Sequence, residues 1–118
     1  HTGPLTINVD ASHWSDYESG VFDGCHYAQN ISIDHVVQLV GYGTDAALSM
    51  DYWIVRNSWS PAWGEHGYIR VKKTDTPNCG WCVHPQDGTA CRGSPPQLWT
   101  CGECGLLFDT TYPIVKMP

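Results

Sequence analysis

Residues 52–71 read YWIVRNSWSPAWGEHGYIRV, and this stretch decides the predicted fold. Its first five residues are rich in aromatic and β-branched side chains, and residues 68–72 alternate apolar with polar side chains, so both are predicted strands. The segment NSWSPAWGEHG between them combines Pro and Gly with polar residues and is a predicted loop. The stretch therefore predicts a sheet whose loops hold the aromatic residues.

Two earlier segments extend this sheet. Residues 33–43, IDHVVQLVGYG, have the β-branched density of a largely buried strand that two glycines close, and His35 lies near its start. Residues 5–10 alternate apolar with polar side chains, the period of two of a half-buried strand. Residues 45–51 form a predicted connecting turn. Together these segments predict a mostly antiparallel, barrel-like β domain with little helix.

Composition excludes several classes of function. The chain has 118 residues, enough for one small domain, and its net charge is −6 with only six Lys and Arg residues. Nucleic-acid and anionic-membrane binders concentrate basic residues on one face, so we expect neither partner. No apolar run reaches the roughly 18–20 residues that span a bilayer, so no membrane segment is predicted.

The N-terminal sequence, the cysteines and a sequon indicate processing and a secretory route. Its start, HTGPLTINVD, lacks the basic and apolar regions of a signal peptide, so we expect a processed chain or a fragment whose missing part lies upstream. Six cysteines in a short chain indicate disulfides and an oxidising compartment. The triplet Asn30-Ile31-Ser32 is a sequon, which predicts N-glycosylation of Asn30 in the secretory pathway.

Four cysteines also match a metal-site pattern. Cys79, Cys82, Cys101 and Cys104 read C-x2-C, 18 residues, C-x2-C, which is the spacing of a zinc ribbon. The oxidising compartment argues against thiolate ligands, so we predict disulfides and no metal. Residues 74–100 hold much of the Pro and Gly without a hydrophobic period and are a predicted cysteine-rich loop.

The runs GPLTINVDA, DHVVQLVGYG, YWIVRNSWSPAWGEHGYIRV and CGECGLLFDTTYPIV resemble, in this order, the C-terminal domain of papain-family, cathepsin-like cysteine peptidases. The specific feature is a histidine before a Gly-Tyr-Gly strand end, combined with an Asn-Ser-Trp four residues ahead of a Trp-Gly. The resemblance implies an α+β papain-like fold. Residues 1–118 would be its disulfide-rich C-terminal half, 74–100 an insertion, and the helical N-terminal half would be missing.

The resemblance also implies a cysteine endopeptidase site without a cofactor. His35 would hold a cysteine as its thiolate, protonate the leaving amine and activate the hydrolytic water. Asn57 would orient the imidazole ring without adding charge. Trp59 would cover their hydrogen bond and floor the leaving-group side of the cleft, with Trp63 close by. The nucleophilic cysteine would come from the N-terminal half, because Cys25 lies in FDGCHY without the family's nucleophile flank.

The substrate subsites are implied in the same way. The implied substrate-binding residues outside the aromatic pair are Asn8, Ile33, Asp34, Val36 and Asp109. Asp109 stands where family members carry a small residue or an acid, so the chain is expected to accept Arg or Lys two residues before the scissile bond. The alternative interpretation is a solvated surface carboxylate.

The resemblance assigns Cys25 to a disulfide with Cys104. The remaining cysteines, Cys79, Cys82, Cys91 and Cys101, would form two bridges, with three possible connectivities.

The implied partners are an N-terminal domain or chain of the same protease, peptide or protein substrates, and a propeptide or cystatin-like inhibitors, in a lysosome, a vacuole or outside the cell. Two alternatives stay open: a catalytically inactive relative that binds or inhibits, and a zinc-bearing interaction module.

Overall fold

The computed structural model describes residues 3–87 and 95–116, without the side chains of residues 29 and 87. The strands are β1 (Leu5–Val9), β2 (Val21–Phe22), β3 (His35–Asp45), β4 (Met50–Arg56), β5 (Tyr68–Lys73), β6 (Cys79–Cys82), β7 (Leu98–Cys101) and β8 (Thr110–Thr111). The helical content of these residues is three single turns of 3-10 helix: Tyr27–Gln29, Pro85–Asp87 and Glu103–Gly105. Among the described residues no helix is long and apolar enough to cross a membrane.

The main sheet has six strands in the order β2-β5-β4-β3-β1-β8. Every neighbouring pair is antiparallel except β2 with β5, which is parallel. The predicted fold class, a mostly antiparallel β domain with little helix, is therefore confirmed.

A long hairpin of β3 and β4 forms the centre of this sheet. The carboxylate of Asp45 closes its tip, because Oδ1 accepts the backbone N–H groups of Ala47 and Leu48, both at 3.1 Å. The turn is thus shorter than the predicted residues 45–51, and both strands extend into it. The hairpin brings the beginning of β3 beside the end of β4.

The core lies on one side of this sheet. Its largest buried side chains are Trp14, Ile7, Ile33, Ile69 and Leu106, each less than 2% exposed. Strand alternation supplies Ile7 of β1 and Ile69 of β5, whereas Trp14, Ile33 and Leu106 come from segments outside the strands. Burying one such side chain stabilises the fold by about 1.5–3 kcal/mol.

The cysteine-rich segment forms a second, two-stranded sheet of β6 and β7. Cys79 and Cys101 are register partners and form a disulfide. Sequence patterns did not indicate these strands, because each has only four residues and lies apart from the main sheet.

The Cys79–Cys101 disulfide matches one of the three predicted connectivities, which leaves Cys82 without a disulfide partner in the described part of the chain. Cys82 is buried there as a free thiol, because Cys79 and Cys101 have bonded to each other and Cys25 has bonded to Cys104. The expected bridge from Cys91 lies outside the described residues.

Candidate active site

His35 and Asn57 meet at the open end of the central hairpin. His35 is the first residue of β3, where it pairs with Val9 of β1, and Asn57 directly follows β4. Nε2 of His35 lies 2.8 Å from Oδ1 of Asn57. Two residues that are 22 positions apart therefore form a direct side-chain contact because the hairpin returns the chain to its starting edge.

The backbone around Asn57 defines how this amide is oriented. The N–H of Ser58 lies 2.8 Å from the same Oδ1, and an N–H can only donate, so the contacted atom must be the amide oxygen. An amide oxygen accepts only, so Nε2 of His35 must carry the proton that it shares with Asn57. Nδ1 is then the ring nitrogen available for proton transfer. The backbone N–H of Asn57 donates to the carbonyl of Gly67 at 3.0 Å and anchors the residue.

The amide nitrogen of Asn57, Nδ2, has no hydrogen-bond partner within the described residues. This nitrogen is also buried. A buried donor without an acceptor costs about 1–3 kcal/mol, so the site retains this residue at the expense of stability.

An aromatic row covers the histidine. The ring of Trp59 stacks on His35 at 5.1 Å between centroids, and Trp63 meets Trp59 edge to face at 5.2 Å. Trp63 is itself fixed, because its indole N–H donates to the carbonyl of Trp14 at 3.0 Å and its ring stacks on Trp14. Trp59 remains 38% exposed. The row therefore shields one face of the imidazole while leaving part of the Trp59 ring open to solvent.

An ion-pair network holds the loop that carries these tryptophans. Arg70 of β5 binds both carboxylate oxygens of Glu65, at 2.8 and 3.0 Å, and its third nitrogen binds Asp45 at 3.1 Å. The hydrogen bond from Arg70 lowers the pKa of Glu65 below its usual value. Burial raises the pKa of Tyr17, which also bonds Glu65, to about 12.

Three of the predicted subsite residues form one exposed patch. Asn8 of β1 pairs with Val36 of β3, and its amide Nδ2 donates to Oδ2 of Asp109 at 2.8 Å. Val36 is 53% exposed and Asp109 is also exposed. Ile33 differs from them, because it is only 1% exposed and lies in the core.

Asp34 and Asp10 accept hydrogen bonds from the backbone near the segment that leads into His35. Asp34 Oδ1 accepts the backbone N–H of Ala11 at 3.0 Å. Asp10 is 5% exposed and accepts the N–H groups of Ser12 and Ser32, both at 2.9 Å. Sequence reasoning missed Asp10, and its only signal there was a polar residue at a strand end. Its bonds tie the end of β1 to the segment that enters β3.

The cysteines described above leave little metal-binding capacity. Of the four that match the zinc-ribbon spacing, Cys79, Cys101 and Cys104 are in disulfides, which leaves one thiol at Cys82. A structural zinc site needs four ligands, so this set does not form one. Glu103 lies beside the Cys25–Cys104 disulfide and accepts the N–H of Cys25 at 2.7 Å. Burial raises its pKa.

Comparison with known proteins places this geometry in context. The sequence model of a family described as papain family cysteine protease matches residues 1–87. Cysteine protease 1 of Oryza sativa subsp. japonica is 38% identical over 118 residues, which cover 98% of this chain and 19% of that protein. The bromelain protease of Ananas comosus, solved with the E64 inhibitor, is 33% identical with a TM-score of 0.65, over 96% of this chain and 41% of that one.

A third similar structure is digestive procathepsin L 3 of Tenebrio molitor larval midgut. It is 27% identical with a TM-score of 0.63, over 98% of this chain and 29% of that one. The chain therefore spans between about a fifth and two fifths of the length of these proteins.

Proposed function

The chain belongs to the papain family of cysteine proteases, and we propose from that premise that His35 and Asn57 serve a site that hydrolyses peptide bonds through a cysteine thiolate. The observation that carries this proposal is the 2.8 Å contact between Nε2 of His35 and Oδ1 of Asn57 beneath the ring of Trp59. The contact leaves Nδ1 of His35 free to exchange a proton with a thiol.

The proposed reaction has two halves. A cysteine thiol, with a usual pKa of about 8.5, is held as thiolate by the His35 imidazolium. Its sulfur forms a bond to the peptide carbonyl carbon, the peptide C–N bond breaks, and Nδ1 gives its proton to the leaving amine. Neutral His35 then takes a proton from water as the water oxygen attacks the thioester carbon. The carbon–sulfur bond breaks and releases the acid and the thiolate.

Asn57 and Trp59 are positioning groups in this scheme. Asn57 accepts from Nε2 in both protonation states of the ring, so it holds the imidazole in place without adding a negative charge. Trp59 excludes water from that hydrogen bond, which strengthens it. Its exposed surface supports a role on the leaving-group side of the cleft.

The nucleophile is assigned to a part of the protease outside this chain. Four of the described cysteines are in disulfides, and Cys82 is 0% exposed, so none of these can reach a substrate. We assign the thiol to an N-terminal helical domain or chain that forms the opposite wall of the cleft. Neither domain would cleave peptides alone, because the thiolate and the imidazolium act as a pair.

The patch of Asn8, Val36 and Asp109 is proposed to select the substrate residue two positions before the scissile bond. Val36 offers an exposed apolar surface and Asp109 an exposed carboxylate beside it. Such a patch accepts either an aliphatic side chain or the long stem of Arg or Lys, whose cation would meet Asp109. Ile33 would support this patch from the core and would not touch the substrate.

The proposed setting is a lysosome, a vacuole or the extracellular space. The disulfides Cys25–Cys104 and Cys79–Cys101 support an oxidising route of synthesis. Relatives described as a digestive procathepsin and as an E64 complex support a propeptide and small inhibitors as further partners. Peptide or protein substrates and cystatin-like inhibitors are proposed from the family alone.

Covalent labelling tests this function. The protease that contains this chain would be treated with a thiol-directed epoxide and analysed by mass spectrometry, as wild type and as His35→Ala. We expect one epoxide per wild-type molecule on a cysteine outside this chain, and a loss of most of the labelling rate in the variant. His84→Ala, a change at an exposed histidine away from the site, is the matched control. Equal labelling of wild type and His35→Ala, or no labelled cysteine at all, would favour the inactive binding relative.

A further inference from the structure

The second sheet exposes two tryptophans on its outer face. Trp81 of β6 and Trp99 of β7 are register partners, and their ring centroids lie 4.9 Å apart at an interplanar angle of 70°. They are 46% and 54% exposed. In an edge-to-face pair one ring turns only its edge to the other, so aromatic faces remain open to solvent. The pair accordingly offers an apolar platform next to polar backbone.

Asn30 directly precedes a residue that pairs with the strand carrying Trp81. Ile31 forms a parallel bridge with Cys82, and the N–H of Ile31 donates to the carbonyl of Trp81 at 3.2 Å. Ile31 and Cys82 both point inward, with exposures of 2% and 0%. Their preceding neighbours, Asn30 and Trp81, are both exposed. Asn30 lies outside the strands, at the end of a 3-10 turn with a φ of 61°. The chain at Asn30 therefore reaches the surface next to the strand that carries Trp81, whose register partner is Trp99.

Asn30 is also the acceptor position of the sequon Asn30-Ile31-Ser32. Its backbone N–H is held by the carbonyl of Tyr27 at 3.3 Å, which fixes the residue at the end of a 3-10 turn. The disulfides of the chain fit the secretory route in which such asparagines are modified. A sequon and an open aromatic platform therefore lie side by side.

We propose that Asn30 carries an N-linked glycan whose first N-acetylglucosamine packs on Trp81 and Trp99. In the attachment step Nδ2 of Asn30 forms a bond to C1 of the sugar of a lipid-linked diphosphate oligosaccharide. The bond from C1 to the diphosphate breaks, the lipid diphosphate leaves, and the amide loses one proton. The apolar C–H face of the pyranose then meets the electron-rich faces of the indoles, as weak C–H donors do.

This packing links the modification to the stability of the insertion. A single disulfide and a few backbone hydrogen bonds join β6 to β7, and small sheets of two strands are marginal without further contacts. A sugar on the outer face would cover apolar ring surface and connect the sheet to residue 30. The proposal does not involve His35 or Asn57, so it stands or fails separately from the proposed function.

The test compares two forms of the protease that contains this chain, secreted from eukaryotic cells. One form is trimmed enzymatically to a single N-acetylglucosamine on Asn30, and the other is the unglycosylated Ser32→Ala variant, which keeps Asn30. We expect peptide mapping to find sugar on Asn30, and the trimmed form to melt roughly 3 °C higher. In a Trp99→Ala background the difference should fall to about zero. Tyr42→Ala removes another exposed ring, 68% exposed, and should leave the difference intact.

A second measurement does not depend on the variants folding. In the trimmed wild-type chain, proton NMR of the sugar should show ring-current shifts to higher field relative to the same sugar on an unfolded tryptic glycopeptide. An Asn30 without sugar, sugar resonances equal to those of the glycopeptide, or a melting difference that persists in Trp99→Ala would overturn the proposal.

Discussion

The indole nitrogen of Trp14 lies 3.4 Å from the sulfur of Cys104. Cys104 is bonded to Cys25, and the same indole ring stacks on Trp63 at 6.3 Å. Since Trp63 contacts Trp59, which covers His35, the disulfide and the histidine lie at the two ends of one packed aromatic row. Trp14 is 0% exposed, so this row begins in the core.

Trp14→Ala is expected to lower the free energy of unfolding by about 3–5 kcal/mol, because it leaves a cavity in the core and removes the support of Trp63. Chemical denaturation would measure the loss. The matched control is Trp99→Ala, which removes the same ring from an exposed cross-strand pair and should cost about 1 kcal/mol or less. Similar losses at both positions would contradict the assigned role of Trp14.

Asn57→Ala should slow epoxide labelling of the protease about tenfold, since it removes one hydrogen bond that orients His35. Stopped labelling time courses would give the rate. The free energy of unfolding should change less than the activation free energy of labelling. The reason is that the variant also removes the buried Nδ2, which has no acceptor in the described structure. Asn78→Ala, at an exposed asparagine, is the control. A labelling rate within twofold of wild type would argue that Asn57 does not position the ring.

Asp109→Ala should change substrate selectivity more than rate. Peptides with Arg or Leu two residues before the scissile bond would be compared by kcat/KM, and the Arg to Leu ratio should fall up to about fivefold, the value of an exposed ion pair. Asp16→Ala, at another exposed aspartate, should leave the ratio unchanged. The selectivity proposal fails if Asp109→Ala also leaves it unchanged.

Glu103→Gln should alter how stability depends on pH. Burial raises the folded-state pKa of Glu103 above its unfolded value, so the folded chain favours the neutral carboxyl. Its contribution to stability is therefore present below the unfolded pKa and is lost as pH rises through the folded pKa.

Glutamine cannot ionise but can still accept the N–H of Cys25. We expect Glu103→Gln to be more stable than wild type at neutral pH. The gain should shrink as pH falls through the raised folded-state pKa and be absent below about pH 4.5, the usual value for a glutamate, as thermal melts across pH would measure. Glu18→Gln, at an exposed position, should show no such trend. A gain for Glu103→Gln that is constant with pH would rule out this origin.

The local sequence patterns predicted the strands that are long enough to show a pattern of buried apolar side chains. The alternation in residues 5–10 and the β-branched run 33–43 correspond to Leu5–Val9 and His35–Asp45. The strands β2 and β8 have two residues each and exist only because a neighbouring strand pairs with them, which no local pattern encodes.

Contacts between residues that are distant in sequence were likewise not predictable from local patterns. The contact of His35 with Asn57 was foreseen through family resemblance, because spacing alone does not fix the register of a hairpin. The bonds of Asp10 and the free thiol of Cys82 depend on which partner each residue meets after folding. Burial of Ile33 likewise follows from tertiary packing, although the family resemblance implied that it lines a pocket.

In the central hairpin, the His35–Asn57 pair lies at the end opposite the tip. His35 opens β3 and Asn57 follows β4, so both stand at one end, while residues 46–49 form an exposed tip at the other. A longer tip would close at little entropic cost and would leave the paired strands in register. These four positions are therefore a suitable place to insert an affinity tag or a fluorescent reporter into the protease without altering the geometry of the histidine.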